Sequence, residues 1–169
     1  NHTCALTSAG TVTCWGDNAY GQLGMGDTAD RGDGPGEMGD ALGVSLGVGR
    51  TATAIAAGSN HTCALLDNQT VKCWGYNGHG RLGLGDTNTR GDGPNEMGTD
   101  LPTVPLAGTP IAITAGGYHT CALLQGGAVQ CWGRNNQGQL GLGNTVDRGD
   151  NPNEMGANLP TVSLGAGRT

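Results

Sequence analysis

The stretch HTCALLDNQTVKCWG, residues 61–75, reads as two short strands folded back on each other. Setting Cys63 opposite Cys73 centres the turn on Asn68, puts Leu65 opposite Val71 and leaves Asp67, Asn68 and Gln69 as a three-residue loop. Two further stretches obey the same register. Cys4 faces Cys14, with Leu6 opposite Val12 around Ser8, Ala9 and Gly10; Cys121 faces Cys131, with Leu123 opposite Val129 around Gln125, Gly126 and Gly127. Hairpin loops of this length often need a left-handed residue in third place, which Gly10 and Gly127 supply without steric cost and Gln69 supplies less well. Side chains alternate along a strand, so each cysteine pair shares a face with its Leu/Val pair, giving one apolar face to set against another sheet.

The hairpin belongs to a longer repeat. HTCAL begins at His2, His61 and His119, and CWG at Cys14, Cys73 and Cys131. G-[QR]-L-G-[ML]-G-[DN]-T begins at Gly21, Gly80 and Gly138, and R-G-D-x-P-x-E-M-G at Arg31, Arg90 and Arg148. Every marker advances by 59 and then by 58 residues, which compositional bias does not produce. The frame gives units of about 1–59, 60–117 and 118–169 within one repeat segment, 1–169. Ahead of each later hairpin, Thr53–Ala57 and Ile111–Ala115 are small-residue runs suited to a strand at a crowded axis. Leu101–Leu106 and Leu159–Leu164 predict a fourth strand, placed at an edge by its prolines.

Composition agrees with such a fold. Of 169 residues, 34 are glycine, none is phenylalanine and 13% are charged, which fits glycine-punctuated strands better than a helical bundle or a charge-rich tail. The net charge of −6 and eight scattered Lys and Arg leave no basic stripe for phosphates, so nucleic acid is not an expected partner. No stretch approaches the ~20 apolar residues that cross a bilayer, so membrane insertion is not expected either.

The order G-x-x-H-T-x-A-L, then C-W-G-x-N-x-x-G-Q-L-G, resembles the regulator of chromosome condensation repeat, in a secreted, cysteine-containing form, and covers nearly the whole chain. The G-Q-L-G segment, at Gly21–Gly24 and Gly138–Gly141 with Arg81 in place of Gln in the middle copy, is the most specific part. The resemblance implies an all-β fold of β-propeller blades, each a four-stranded antiparallel sheet, in a family whose known arrangement has seven blades. Three repeats of about 58 residues are fewer than the roughly four to eight blades with which propellers close. The expectation is therefore a segment of a larger propeller, or copies joined head to tail, two making a six-bladed ring or many a fibre. The family's nucleotide exchange on a nuclear GTPase does not carry over, because it depends on one propeller face and not on the repeat signature.

Six cysteines in three equally spaced pairs predict intra-hairpin disulfides, Cys4–Cys14, Cys63–Cys73 and Cys121–Cys131, and hence an oxidising compartment, extracellular, periplasmic or at the cell surface. A zinc set of His61, Cys63 and Cys73 lacks a fourth ligand and a C-x-x-C knuckle, and a structural role is expected for the histidines, hydrogen-bonding within each blade at the same turn. The loops after CWG carry Asp27, Asp33 and Glu37, then Asp86, Asp92 and Glu96, then Asp150 and Glu154, with Asn144 replacing the first aspartate of the third copy. Their spacing matches no EF-hand, and pairing with Arg31, Arg90 and Arg148 is expected in place of calcium. Arg-Gly-Asp recurs only because the repeat does. Trp15, Trp74 and Trp132, one per copy, are assigned to packing between blades.

No nucleophile elbow, phosphate loop or zinc-protease motif occurs, and every candidate side chain is one of a repeated set. No catalytic, cofactor-binding or metal residue is assigned, and no cofactor is expected. The expected function is a non-enzymatic extracellular binding or structural scaffold, with a protein or copies of the chain itself as partner. The alternative is a fragment of a larger secreted enzyme or regulator whose active part lies outside the repeats.

Overall fold

Each cysteine hairpin folds in the expected register because its apolar pairs fall on facing positions. The computed structural model describes residues 1–39 and 42–165. It contains eight strands among these residues: β1 (His2–Leu6), β2 (Val12–Gly16), β3 (Ala52–Ala57), β4 (His61–Leu66), β5 (Val71–Gly75), β6 (Pro110–Ala115), β7 (His119–Leu124) and β8 (Val129–Gly133). They form three antiparallel sheets, β1-β2, β3-β4-β5 and β6-β7-β8. Cys4, Cys63 and Cys121 lie opposite Cys14, Cys73 and Cys131, and all three pairs are disulfide-bonded. The strand Ala52–Ala57 pairs with β4 and Pro110–Ala115 with β7, so the second and third sheets begin a few residues ahead of the HTCAL marker.

The turns show what the loop length demands. Gly10, Gln69 and Gly127 all take positive φ, at 80°, 61° and 91°, and each donates its N–H to the residue three back. Gln69 holds that conformation against its own Cβ, helped by Asn68, whose side-chain oxygen accepts from the Thr70 amide and hydroxyl at 3.3 and 2.8 Å. A left-handed non-glycine residue costs about 1–2 kcal/mol, partly offset by the extra chain entropy that glycine loses on folding. Gln69→Gly is therefore expected to stabilise the chain by about 0.5–1 kcal/mol, read as a higher urea midpoint. A lower midpoint would show that the Gln69 side chain contributes something the turn geometry does not reveal.

The fourth strand is not a ladder. Val104 and Val162 donate one backbone bond each, to Val71 and Val129 at 2.8 Å, and Thr161 bridges to Gln130. Pro102, Pro105 and Pro160 lack the N–H groups that a continued ladder needs. What holds these segments is burial: Leu101, Val104 and Leu159 are 1%, 6% and 2% exposed. Each blade is thus two or three strands edged by a tether.

The core lies between the sheets. Cys63, Leu65, Val71 and Cys73 face the third blade, packing with Ala122, Leu124 and Trp132. Ala64, Leu66 and Trp74, together with Ala52, face the first blade, packing with Val12, Cys14 and Leu23. Both faces of the middle blade are consequently covered, every residue of β4 and β5 being buried, whereas β1 and β7 are buried on alternate residues or less. β3 lies against both β1 and β6, which explains the small side chains there.

A disulfide closing an eleven-residue hairpin stabilises it by roughly 2–3 kcal/mol on the chain-entropy model. Its access to reductant depends on the stack. Cys63 and Cys73 are fully buried, while Cys4 and Cys121 are partly exposed. Native-state dithiothreitol is expected to open Cys4–Cys14 and Cys121–Cys131 before Cys63–Cys73, followed by alkylation and peptide mass mapping. Middle-first reduction would contradict the packing.

Candidate functional site

The repeated polar residues form a relay that joins neighbouring blades. His61 Nε2 lies 2.9 Å from Thr120 Oγ1, and that hydroxyl donates to the Arg81 carbonyl at 3.0 Å, where Trp132 Nε1 also donates at 3.0 Å. One blade earlier, His2 Nε2 is 2.7 Å from Thr62 Oγ1, which with Trp74 Nε1 donates to the Gln22 carbonyl at 2.9 and 3.1 Å. Because the threonine proton goes to the carbonyl, the network assigns the histidine proton to Nε2 and leaves Nδ1 bare. His61 Nδ1 is buried without a partner, and burial, reinforced by the Arg81 charge, pushes the His61 pKa down to about 3. His2 and His61 are structural, as expected, but they bond across to the next blade and not within their own, because their rings point out of the sheet toward the neighbouring threonine. Trp74 and Trp132 are fully buried between blades and Trp15 is half-buried, as packing residues should be.

The acidic loops are turned inward on themselves. Asp86 Oδ2 binds Arg90 Nη2 at 2.9 Å, and Arg90 Nη1 donates to the Asn88 carbonyl at 2.8 Å; Asp27 and Arg31 repeat the ion pair at 2.7 Å. Glu96 Oε2 accepts from the amides of Gly91 and Gly93 at 3.0 and 2.9 Å, and Glu37 and Glu154 close their own loops in the same way. Where Asn144 replaces the aspartate, Arg148 turns to Glu154 at 3.6 Å. Desolvation and the adjacent Glu154 raise the Asp150 carboxyl above the usual range, and Asp92 beside Glu96 behaves alike. The Arg of each Arg-Gly-Asp is therefore tied to its own loop. Among the described residues no three His, Cys, Asp or Glu side chains converge as metal ligands.

A residue that the sequence pattern displayed without revealing its task is the asparagine of C-W-G-x-N. Asn77 is fully buried, its Oδ1 accepting from the Leu82 amide at 2.9 Å and its Nδ2 donating to the Asp86 carbonyl at 2.8 Å. Asn18 and Asn135 do the same work in their loops. This bracing explains why so glycine-rich a segment holds one shape.

One cluster breaks the repeat. All three tyrosines of the chain meet on one face, each from a different position of the repeat. Tyr20 packs against Tyr76 with ring centroids 4.7 Å apart and planes tilted by 46°, and the Arg81 guanidinium lies 4.7 Å from the Tyr76 ring and 5.0 Å from that of Tyr118. The Arg134 guanidinium lies 5.3 Å from the Tyr118 ring, so the series Tyr20, Tyr76, Arg81, Tyr118, Arg134 runs from the first blade to the third. Tyr20 and Tyr118 are 41% and 45% exposed. The sequence signal for this array was the substitution of Arg81 for the Gln22 and Gln139 of the other copies; its neighbours are distant in sequence and gave none.

Comparison with known proteins places this geometry. Two family profiles described as the regulator of chromosome condensation (RCC1) repeat match, one over residues 1–22, 52–81 and 111–139, the other over 70–123 and 126–167. The chain is similar to the human "Probable E3 ubiquitin-protein ligase HERC4", 33% identical over 172 aligned residues covering 99% of this chain and 15% of that protein. It is also similar to the "Ultraviolet-B receptor UVR8" of Arabidopsis thaliana, 32% identical over 148 residues, 87% of this chain and 30% of that one. The chain thus spans less than a third of either relative. Among solved structures, human WBSCR16 superposes with a TM-score of 0.67 at 21% identity, over 96% of this chain and 36% of that one. Prp20p from Saccharomyces cerevisiae superposes at 0.63 and 22%, over 99% and 37%. With the profile matches spanning more than half the chain and the blades built as those structures are, the chain belongs to the regulator of chromosome condensation repeat family.

Proposed function

We propose that the chain is a protein-binding scaffold without catalytic activity of its own, acting in an oxidising, extracytosolic compartment. The observation that carries this reading is the contrast between two kinds of polar group. Histidines, loop carboxylates and Arg-Gly-Asp arginines are spent on holding blades and loops. The outer part of the tyrosine–arginine array, Tyr20, Tyr118 and Arg134, is not, and its composition is that of protein interfaces, where Tyr and Arg are enriched and carry much of the binding energy. Two equivalent grooves between blades, one lined by Pro94, Asn95 and Met97 and the other by Pro152, Asn153 and Met155, add a repeated surface. The oxidising compartment is supported by the three disulfide pairs.

Selection of a displayed peptide library on the oxidised chain tests the binding claim, with enrichment of sequence-related peptides expected. No enrichment would sink it. Titration of unreduced native material with a thiol reagent should find no free sulfhydryl, and six would remove the compartment assignment.

Self-association is a second reading, favoured by the relay itself. Thr3 and Trp15 sit on the outer side of the first blade, and His119 and the Gln139 carbonyl on that of the third, occupying the repeat positions that bond to each other inside the chain. Sedimentation equilibrium should then show multiples of the monomer, diminished by Thr3→Arg; a monomer at all concentrations excludes it.

A further inference from the structure

The tyrosine–arginine array holds the two arginines that, among the described residues, face no carboxylate. Arg31, Arg50, Arg90 and Arg148 each face a carboxylate, at 2.7, 3.5, 2.9 and 3.6 Å. Among the described residues, Arg81 and Arg134 pair with none, and both belong to the array. Arg81 is 1% exposed, yet its Nε and Nη1 have no hydrogen-bond acceptor. The acid whose field reaches it, Asp147, is already engaged by His79 Nδ1 at 2.9 Å and the Asn135 amide at 2.6 Å. On a chain of net charge −6 these two uncompensated guanidinium groups lie together beside exposed aromatic rings, whereas Lys72, which also faces no carboxylate, is buried with its Nζ held by the Leu46 and Gly98 carbonyls.

We propose that this array docks an acidic segment of a partner protein, its Asp or Glu carboxylates seated on Arg134 over the positive field of Arg81, its backbone lying across Tyr20 and Tyr118. The proposal rests on the scaffold reading above and adds the chemistry of the partner. Three features select this occupant. Carboxylates supply the acceptors that Arg134 lacks and offset the unpaired charge of the buried Arg81, and they bind guanidinium in a paired, planar geometry. Tyrosine rings give a peptide contact area at small entropic cost while their hydroxyls stay hydrated. A nucleic acid backbone would meet two cations on a chain whose net charge repels it, so the positive patch suits a short acidic stretch.

Fluorescein-labelled hexaglutamate, titrated into the full oxidised chain at low ionic strength and followed by anisotropy, is the direct test. Saturable binding is expected, with none to hexalysine. Arg134→Ala should weaken it at least tenfold, and so should Arg81→Gln, which installs the residue the other two copies carry at that position and so keeps the blade; melting curves verify this. Added salt should weaken binding further. Absence of binding to hexaglutamate, or equal binding by both variants, overturns the proposal. The peptide selection separates its failure from that of the scaffold. Enriched acidic peptides released by Arg134→Ala support the docking site. Non-acidic peptides, or ones that Arg134→Ala retains, remove it and leave the scaffold standing, whereas no enrichment removes both.

Discussion

Trp74→Ala is expected to destabilise the chain by about 3–5 kcal/mol, the cost of emptying a fully buried aromatic site. The side chain has no exposure, packs with Leu23, Val44, Leu46 and Leu101, and donates from Nε1 to the Gln22 carbonyl at 3.1 Å. It also fits against a glycine. A Cβ on Gly24 would come within 2.8 Å of the indole nitrogen, so the last glycine of G-Q-L-G is there to admit the ring. Collapse around the missing indole is limited, because β4 and β5 are held from both sides. Trp74→Phe keeps most of the packing and loses the hydrogen bond, at about 1 kcal/mol for the bond itself. Trp15→Ala, at the same place in the repeat but half-buried, should cost clearly less. Urea titrations of the three variants give the ranking, and equal losses at Trp15 and Trp74 would refute the claim that blade-to-blade burial sets the value.

Acidification should cost a further large amount through His61. Its pKa falls from an ordinary 6.5 to about 3 in the folded chain, mainly because burial disfavours the cation. A base whose folded pKa is lowered binds its proton more readily when unfolded, so its contribution is complete above pH 6.5 and drains away as pH falls toward the folded value. The slope is about 1.4 kcal/mol per pH unit, hence about 3 kcal/mol by pH 4. Nδ1, where the proton would go, is buried without a partner. Asp92 and Asp150 act in the opposite sense, since their raised carboxyls keep protons longer when folded. His2 and His119 are also shifted downward, so the total slope mixes several groups. The difference between wild type and His61→Gln isolates this one, the amide still being able to donate to Thr120. Unfolding midpoints at pH 7 and pH 4 should fall steeply for the wild type and much less for the variant. An unchanged pH difference in His61→Gln would mean that the ring does not titrate on unfolding as argued.

Much of this architecture is legible in the amino-acid sequence itself. Cys63 opposite Cys73 and Leu65 opposite Val71 are the observed pairs, and the loop Asp67–Asn68–Gln69 is the observed turn, with Gln69 in the strained position. These features are local: two apolar pairs and a turn of fixed length admit one register. The fourth strand was less legible. Leu101–Leu106 and Leu159–Leu164 look like strands by their apolar spacing, but the prolines that marked them as edges deny them more than isolated bonds, and buried leucines hold them instead. Both faces of the middle blade turned out buried, where alternation alone implied one, because a blade between two others has no solvent side.

The repeat spacing, the hairpin register and the cysteine pairing follow from residues near each other in the chain or copied at a constant interval. Periodicity reports whatever every blade shares. The relay partners across blades and the meeting of Tyr20, Tyr76, Tyr118, Arg81 and Arg134 do not follow from it, since those residues stand at unlike positions of the repeat and touch only when blades pack side by side. A pattern repeated three times encodes the scaffold; the place where it is broken acquires meaning only once distant loops share one face.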